Sequence, residues 1–314
     1  MKLLIFTFFL NIAFSVAFAA STDKHSEYGQ VIIGQSHILK DKSGDTYEVN
    51  IYLPRSYTTE PSRQYPVLYL IDGGKDQDFN HIAGLADLAS VNPYVFRELI
   101  VVGVQTKNRL FELTSINTDP RYSRPEGTIG GSNEFRDFLK SKAIPFAENT
   151  FRTNGKRIVM GESLAGLFIV ETLLKTPELF TDYVSISPSM WFDDRHLSKT
   201  ALELLNVHTD VARNLYIAMA NEGGTMQKGL DELLDAIKKS QLKNLTVNYQ
   251  DNSKSDFHWS IYHGEALEAL RWLLPAPKPE FVNEPDPWYL VEGENPPNWK
   301  NEVQESASTK KTEH

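Results

Sequence analysis

Apolar and polar residues alternate along two early segments, VIIGQSHIL (31–39) and TYEVNIYLP (46–54). A period of two sends successive side chains to opposite faces, so both segments predict half-buried antiparallel strands, a hairpin at a sheet edge. Pro54 and the Ser, Thr and Pro residues after it close the second strand. From Tyr65 the pattern changes. PVLYLID (66–72) and LIVVGVQ (99–105) are near-continuous apolar runs, as expected of strands covered on both faces by helices. FNHIAGLADLASV (79–91), between them, has helical spacing.

The two periods then take turns. SNEFRDFLKSKAIPFAENTF (132–151) reads as helix, RIVMG (157–161) as strand, AGLFIVETLLK (165–175) as helix, YVSIS (183–187) as strand and LSKTALELL (197–205) as helix. LYIAMA (215–220), DELLDAIKKS (231–240), LTVNYQ (245–250) and GEALEALRWLL (264–274) continue the series as strand, helix, strand and helix. Strand and helix alternating after an antiparallel start predict an α/β fold, a mostly parallel doubly wound sheet with an antiparallel N-terminal edge and helices on both faces. No internal repeat is present.

Two flanking segments break the pattern. Residues 1–19 place Lys2 before an apolar run that ends in Ala17-Phe18-Ala19, the form of a secretory signal peptide cleaved after Ala19. The apolar stretch is short for a membrane span and lacks a basic stop-transfer flank, so no stable span is expected after cleavage. Residues 275–314 are rich in Pro and charge and without periodicity, which reads as a tail. Its Trp288, Tyr289 and Trp299 either pack back on the domain, dock to a partner or belong to an extended strip. Residues 20–274 remain as the folded α/β domain.

The formal net charge of -9 argues against the basic footprint of a nucleic-acid binder. Zero cysteine removes disulfides, thiolate nucleophiles and Cys-ligated metals, and is compatible with an oxidising compartment such as a bacterial periplasm. The histidines are scattered, Asp72, Asp76 and Asp78 do not fit a calcium loop, and no glycine-rich phosphate cradle occurs, so neither metal nor cofactor is expected.

The chemistry concentrates in Ile158-Val159-Met160-Gly161-Glu162-Ser163-Leu164-Ala165-Gly166, a buried strand running through a tight turn into a helix with serine at the apex. A nucleophile in that strained turn needs tiny residues two before and two after it, and Gly161 and Ala165 stand there. Serine is a poor nucleophile unless a base takes its proton, and in such folds the base arrives after the last strand, in the order Ser, acid, His. His258 occupies that loop; His263 falls at the start of the last helix, as a surface or packing residue. Glu222, directly after LYIAMA, is the first choice for the acid, with Asp256, Asp251, Asp193 and Asp194 competing. The oxyanion requires two backbone amides, expected from Leu164 and from Gly73 in Asp72-Gly73-Gly74, with Gly74 as the neighbouring choice.

These segments together resemble the esterase-D-like hydrolases of the α/β-hydrolase superfamily, the group that includes the bacterial trilactone siderophore esterases. The resemblance runs from about Tyr47 to Leu274 and rests on LYLIDGGKDQDFNHIAGLADLAS, LIVVGVQTKNRLFELT, GESLAG, SISPSMWFDDRHL and FHWSIYHGEALEALRWL. It implies carboxylic ester hydrolysis through an acyl-enzyme, with Ser163 as nucleophile and His258 as base. It also implies that Ser187-Pro188-Ser189-Met190-Trp191 walls the site, with Trp191 and Trp259 stacking an aromatic acyl group such as a catecholate. An anionic ferric trilactone calls for a basic rim, and Lys75, Lys107 and Arg109 lie on loops near the catalytic edge, but the chain as a whole is acidic, so feruloyl-type and other small acyl esters stand as alternatives. The competing reading is a non-catalytic ligand-binding protein on the same scaffold. Oligomeric state is not legible.

Overall fold

A computed structural model describes residues 31–277, apart from 94, 123, 126, 127 and 209–211. The expected leader and all but the first three residues of the expected tail, including Trp288, Tyr289 and Trp299, lie outside the described residues. From Ile33 on, the described residues fall in one compact unit; of the other, Met1–Ile32, only Val31 and Ile32 are described.

The two alternating segments form β1 (Gln35–Lys40) and β2 (Thr46–Tyr52), paired antiparallel at one sheet edge. β2 also runs antiparallel to β4 (Ile100–Val104). β3 (Tyr65–Ile71), β5 (Thr153–Glu162), β6 (Asp182–Ile186), β7 (Arg213–Met219) and β8 (Leu245–Asp251) complete the sheet in the order β1-β2-β4-β3-β5-β6-β7-β8, with every pair from β4 onward parallel. This is the mostly parallel sheet with an antiparallel edge that the sequence predicts.

Why the central strands read as unbroken apolar runs is visible in β3. Val67, Tyr69 and Ile71 pack into one core, Leu68 and Leu70 into the other, so neither face can be polar. The second core takes α2 (Phe79–Val91) and α9 (Ile261–Leu273). The first core takes α4 (Ser132–Phe138), α5 (Ile144–Thr150), α6 (Leu164–Lys175), α7 (Phe192–Leu205) and α8 (Gly224–Ser240). Two single-turn helices, α1 (Ser56–Thr59) and α3 (Arg109–Glu112), lie in loops.

Two helices depart from the expected form. The helix predicted over 132–151 is interrupted by a π turn at Leu139–Ala143, and Pro145 sits at the start of α5. Pro145 has no N–H, and its ring crowds the carbonyl one turn back, so the ladder widens there to stay continuous. In α7, Asp193, Asp194 and Arg195 have φ of 48°, 49° and 63°, so the regular helix begins after Arg195. That agrees with the predicted start at Leu197.

β3 has β4 on one side and β5 on the other, so successive connections leave it in opposite directions. In open α/β sheets ligands bind at the carboxyl ends of strands where the order reverses. The loop Asp72-Gly73-Gly74 leaves β3 at that point and Ser163 leaves β5 beside it.

Candidate active site

Ser163 has φ 60° and ψ -115°, a conformation that costs a non-glycine residue on the order of 1–3 kcal/mol. It persists because both sides of the turn are clamped: the Ser163 N–H donates to Ile186 O at 3.0 Å, and the Leu167 N–H donates to Ser163 O at 2.9 Å. A Cβ on Gly161 would lie 2.6 Å from the Ala165 Cβ, which is the steric reason for tiny residues two before and two after the serine. The Ser163 hydroxyl pairs with Ser189 Oγ at 3.2 Å in this resting arrangement.

The histidine and acid meet as expected. His258 Nδ1 lies 2.5 Å from Glu222 Oε1. Glu222 follows β7 and His258 follows β8, and the loops are tied where the Asn221 N–H donates to Asp256 O at 2.9 Å. The Asn252 side chain adds bonds to Glu265 at 2.8 Å and Asp256 at 3.3 Å. The competing carboxylates are engaged elsewhere. Asp256 accepts from Ser255 and Ser260, Asp251 from the Ser253 N–H, Asp193 from Thr118 and Asp119, and Asp194 pairs with Arg195 and Lys199.

The oxyanion loop differs from expectation. The Gly73 N–H donates to Val104 O at 2.8 Å, extending the β3–β4 ladder by one rung, so Gly73 is not the free amide donor that the sequence suggests. Glycine is required there for a different reason: a Cβ on Gly73 would sit 2.3 Å from the Gly103 Cα, where two strands' backbones meet. The next amide, Gly74 N–H, faces Gln77 Oε1 at 2.9 Å. Leu164 opens α6, where the first amides of a helix have no carbonyl partner within it.

Arg109 braces this edge. Its Nε donates to Asp72 at 2.7 Å and its Nη2 to the Glu162 carbonyl at 3.1 Å, joining the residue before the oxyanion loop to the residue before the serine. Among the described residues, its other three N–H groups have no hydrogen-bond acceptor. Lys75 reaches Glu48 at 4.0 Å and Lys107 lies over the Tyr47 ring at 4.5 Å.

Burial dominates the electrostatics behind the serine. It raises the Glu162 carboxyl to about 7, opposed by His258 and Arg109 and assisted by Asp78 and Glu222. The buried Oε1 of Glu162 has no hydrogen-bond partner among the described residues. Burial likewise lifts Asp78 to about 6, with the charge of Asp72 adding to it.

Two aromatic pairs lie close to these residues in the chain. Trp191 stacks on Tyr122 with centroids 6.2 Å apart, and the Tyr122 hydroxyl donates to Trp191 O at 3.3 Å. Trp259 is 80% exposed and Phe257 50%, and the two rings stack at 5.2 Å on either side of His258 in the chain. His263 approaches His81 on α2 within 2.7 Å, a surface contact away from the Glu222–His258 pair.

The sequence placed Ser187 and Ser189 only in a wall of the site, without their hydroxyl partners, and gave no sign of Gln77 or of the bracing role of Arg109. The first two lie within SISPSMW, which carries a hydroxyl on each side of Pro188, but nothing in the chain's own spacing says what those hydroxyls face.

A strained serine at the sheet's reversal point and a histidine–carboxylate pair after β7 and β8 share the carboxyl edge of an α/β-hydrolase fold. The chain belongs to the Esterase family, whose model, described as "Putative esterase", matches residues 41–269. It is similar to the apo-salmochelin esterase of Escherichia coli, 29% identical over 176 residues that cover 52% of this chain and 54% of that protein. That match therefore spans about half the relative's length. It is also similar to the ferri-bacillibactin esterase BesA of Bacillus subtilis, 28% identical over 249 residues, 72% of this chain and 84% of that protein. An IroE-like serine hydrolase from Shewanella oneidensis has a solved structure that aligns with a TM-score of 0.67 at 28% identity, over 77% of this chain and 80% of that one. The relatives named as siderophore esterases thus form the group in which this member of the family falls.

Proposed function

We propose that this protein is an exported serine esterase that hydrolyses siderophore or phenolic acyl esters through a covalent acyl-enzyme. The observation that carries the reading is the 2.5 Å contact between His258 Nδ1 and Glu222, on the loops after β8 and β7 at the same sheet edge as the Ser163 turn. With the Nδ1 proton held by the carboxylate, Nε2 is the basic nitrogen.

The Ser163 hydroxyl turns from Ser189 to Nε2, gives up its proton and attacks the ester carbonyl. Charge on the carbonyl oxygen rests on the Leu164 amide and on the Gly74 amide once Gln77 yields it. The tetrahedral species collapses as His258 returns the proton to the departing alcohol, leaving the acyl group on Ser163. Water, deprotonated by His258, then attacks that acyl carbon, and the serine leaves with the proton as the acid is released. Trp191 and Trp259 would stack an aromatic acyl group, and the remaining N–H groups of Arg109 would meet its oxygens. The siderophore preference draws on the printed names of the relatives and on these aromatics. Export draws on the apolar leader and its small-residue end.

A fluorophosphonate probe should label the protein, and Ser163→Ala should abolish labelling, while hydrolysis of a short p-nitrophenyl ester falls by at least about 10³-fold in Ser163→Ala and His258→Ala. Labelling that persists in Ser163→Ala would move the nucleophile elsewhere. Ferric and iron-free trilactones, feruloyl esters and acetyl esters, compared by kcat/KM, test the substrate class. Cell fractionation with N-terminal sequencing tests cleavage after Ala19.

A further inference from the structure

Three strand ends in this sheet finish on a polar, non-glycine residue in the left-handed region: Asp72 after β3 (φ 59°), Ser163 after β5 (φ 60°) and Ser187 after β6 (φ 39°). The register sets the last two side by side, because Glu162 pairs with Ile186 and each is followed by its serine. Backbone strain in non-glycine residues is retained where the surroundings over-determine it, and it gathers at functional sites. Asp72 and Ser163 already have roles at this site. Ser187 is fully buried, and its hydroxyl donates to Glu222 Oε1 at 2.8 Å, the same oxygen that faces His258 Nδ1. Its conformation is held by its own N–H, which donates to Ala218 O at 2.8 Å, and by the Ala220 N–H, which donates to Ser187 Oγ at 3.3 Å.

Two residues on, Ser189 turns back to the other end of the relay. Its N–H donates to Ser163 O at 3.0 Å, and its hydroxyl, in a residue 3% exposed, meets Ser163 Oγ at 3.2 Å. One tripeptide therefore touches both the acid and the nucleophile, and Pro188 between them holds the spacing by fixing its own φ.

We infer that Ser187-Pro188-Ser189 is a bracket that sets the relay's geometry: Ser187 is a positioning residue acting through Glu222, and Ser189 holds the nucleophile's hydroxyl by direct contact. The inference rests on the assignment of Ser163, His258 and Glu222 above. A carboxylate oxygen that accepts from both Ser187 and the imidazole cannot swing away from Nδ1 without breaking the Ser187 bond. Ser189 keeps Ser163 Oγ in a defined rotamer until His258 takes its proton. Neither serine gains or loses a proton over the cycle.

The test measures kcat, KM and the rate of fluorophosphonate labelling for Ser187→Ala and Ser189→Ala, each in the wild-type and the Glu222→Ala backgrounds. Ser187→Ala should lower kcat and the labelling rate about 10- to 100-fold with KM within about twofold. In the Glu222→Ala background the same substitution should change labelling less than about twofold, since the group it acts through is gone. Ser189→Ala should slow labelling in both backgrounds alike. Ser187→Gly, whose backbone adopts a positive φ without strain, should match Ser187→Ala and serves if the alanine variant does not fold. An equal loss from Ser187→Ala with and without Glu222 would mean a merely structural residue and overturn the inference, as would wild-type rates in both Ser187 variants. Turnover retained in Ser163→Ala would instead sink the parent assignment, which the bracket variants cannot do.

Discussion

Glu162 stands next to Ser163 with a buried carboxyl oxygen that has no hydrogen-bond partner among the described residues. Burial raises its pKa from 4.5 to about 7, so the folded protein holds a proton there that the unfolded chain has already released. Between those values stability must fall as pH rises, because the unfolded state binds fewer protons. For a partly buried carboxyl the effect is on the order of 1–2 kcal/mol. Urea unfolding of Glu162→Gln should lack that loss between pH 5 and 7; an unchanged pH slope would mean that the carboxyl is not protonated there. Gly73 carries a second prediction at this scale. A methyl group at this position would meet Gly103 backbone at 2.3 Å, so Gly73→Ala should cost about 1–3 kcal/mol in the same assay, as overpacking between two central strands.

Asp193 decides how the start of α7 meets the preceding loops. Its carboxylate accepts from the Thr118 N–H and hydroxyl at 2.8 Å each and from the Asp119 N–H at 2.7 Å, while the chain passes through three left-handed residues. The same junction presents Trp191 to Tyr122. Asp193→Ala should therefore lose about 2–3 kcal/mol of stability and raise KM for aryl esters more than for an acetyl ester. Equal changes in both KM values would separate the clamp from the aromatic wall. The helix from 132 to 150 shows the opposite kind of feature: its π turn has a local cause, Pro145, and no contact with the site is needed to explain it.

The whole chain carries a formal charge of -9, so an anionic substrate approaches against the net field unless the rim reverses it locally. Lys75 lies 4.0 Å from Glu48 and Lys107 keeps its charge over the Tyr47 ring, while Arg109 is paired with Asp72, so the local positive charge is small against the net field. KM for an anionic ferric trilactone should fall as salt rises from about 10 to 150 mM, where screening lengths shorten, while KM for a neutral ester stays flat. The reverse slope would mean that Arg109 governs approach. Trp259→Ala should raise KM for aryl esters several-fold and leave kcat for a small ester near wild type, since the ring is exposed and adjacent to His258 in the chain.

What the sequence determined by itself was whatever depends on spacing along the chain. The switch from a period of two to unbroken apolar runs set the antiparallel edge and the parallel centre. The small residues around Ser163 set the turn, and the places of Glu222 after β7 and His258 after β8 named an acid and a histidine that meet in space. What only the tertiary structure decided was the direction of groups whose partners come from other strands. Gly73 looked like an open amide because a Gly-Gly turn reads the same whether it faces a substrate or Gly103, and the β3–β4 register turned it to Val104. Arg109 looked like a rim cation, yet the reversal of strand order put Asp72 and the Glu162 carbonyl within its reach. Ser187 and Ser189 were legible only as part of a wall, because a hydroxyl's partner is fixed by its neighbours' register and not by its own place in the chain.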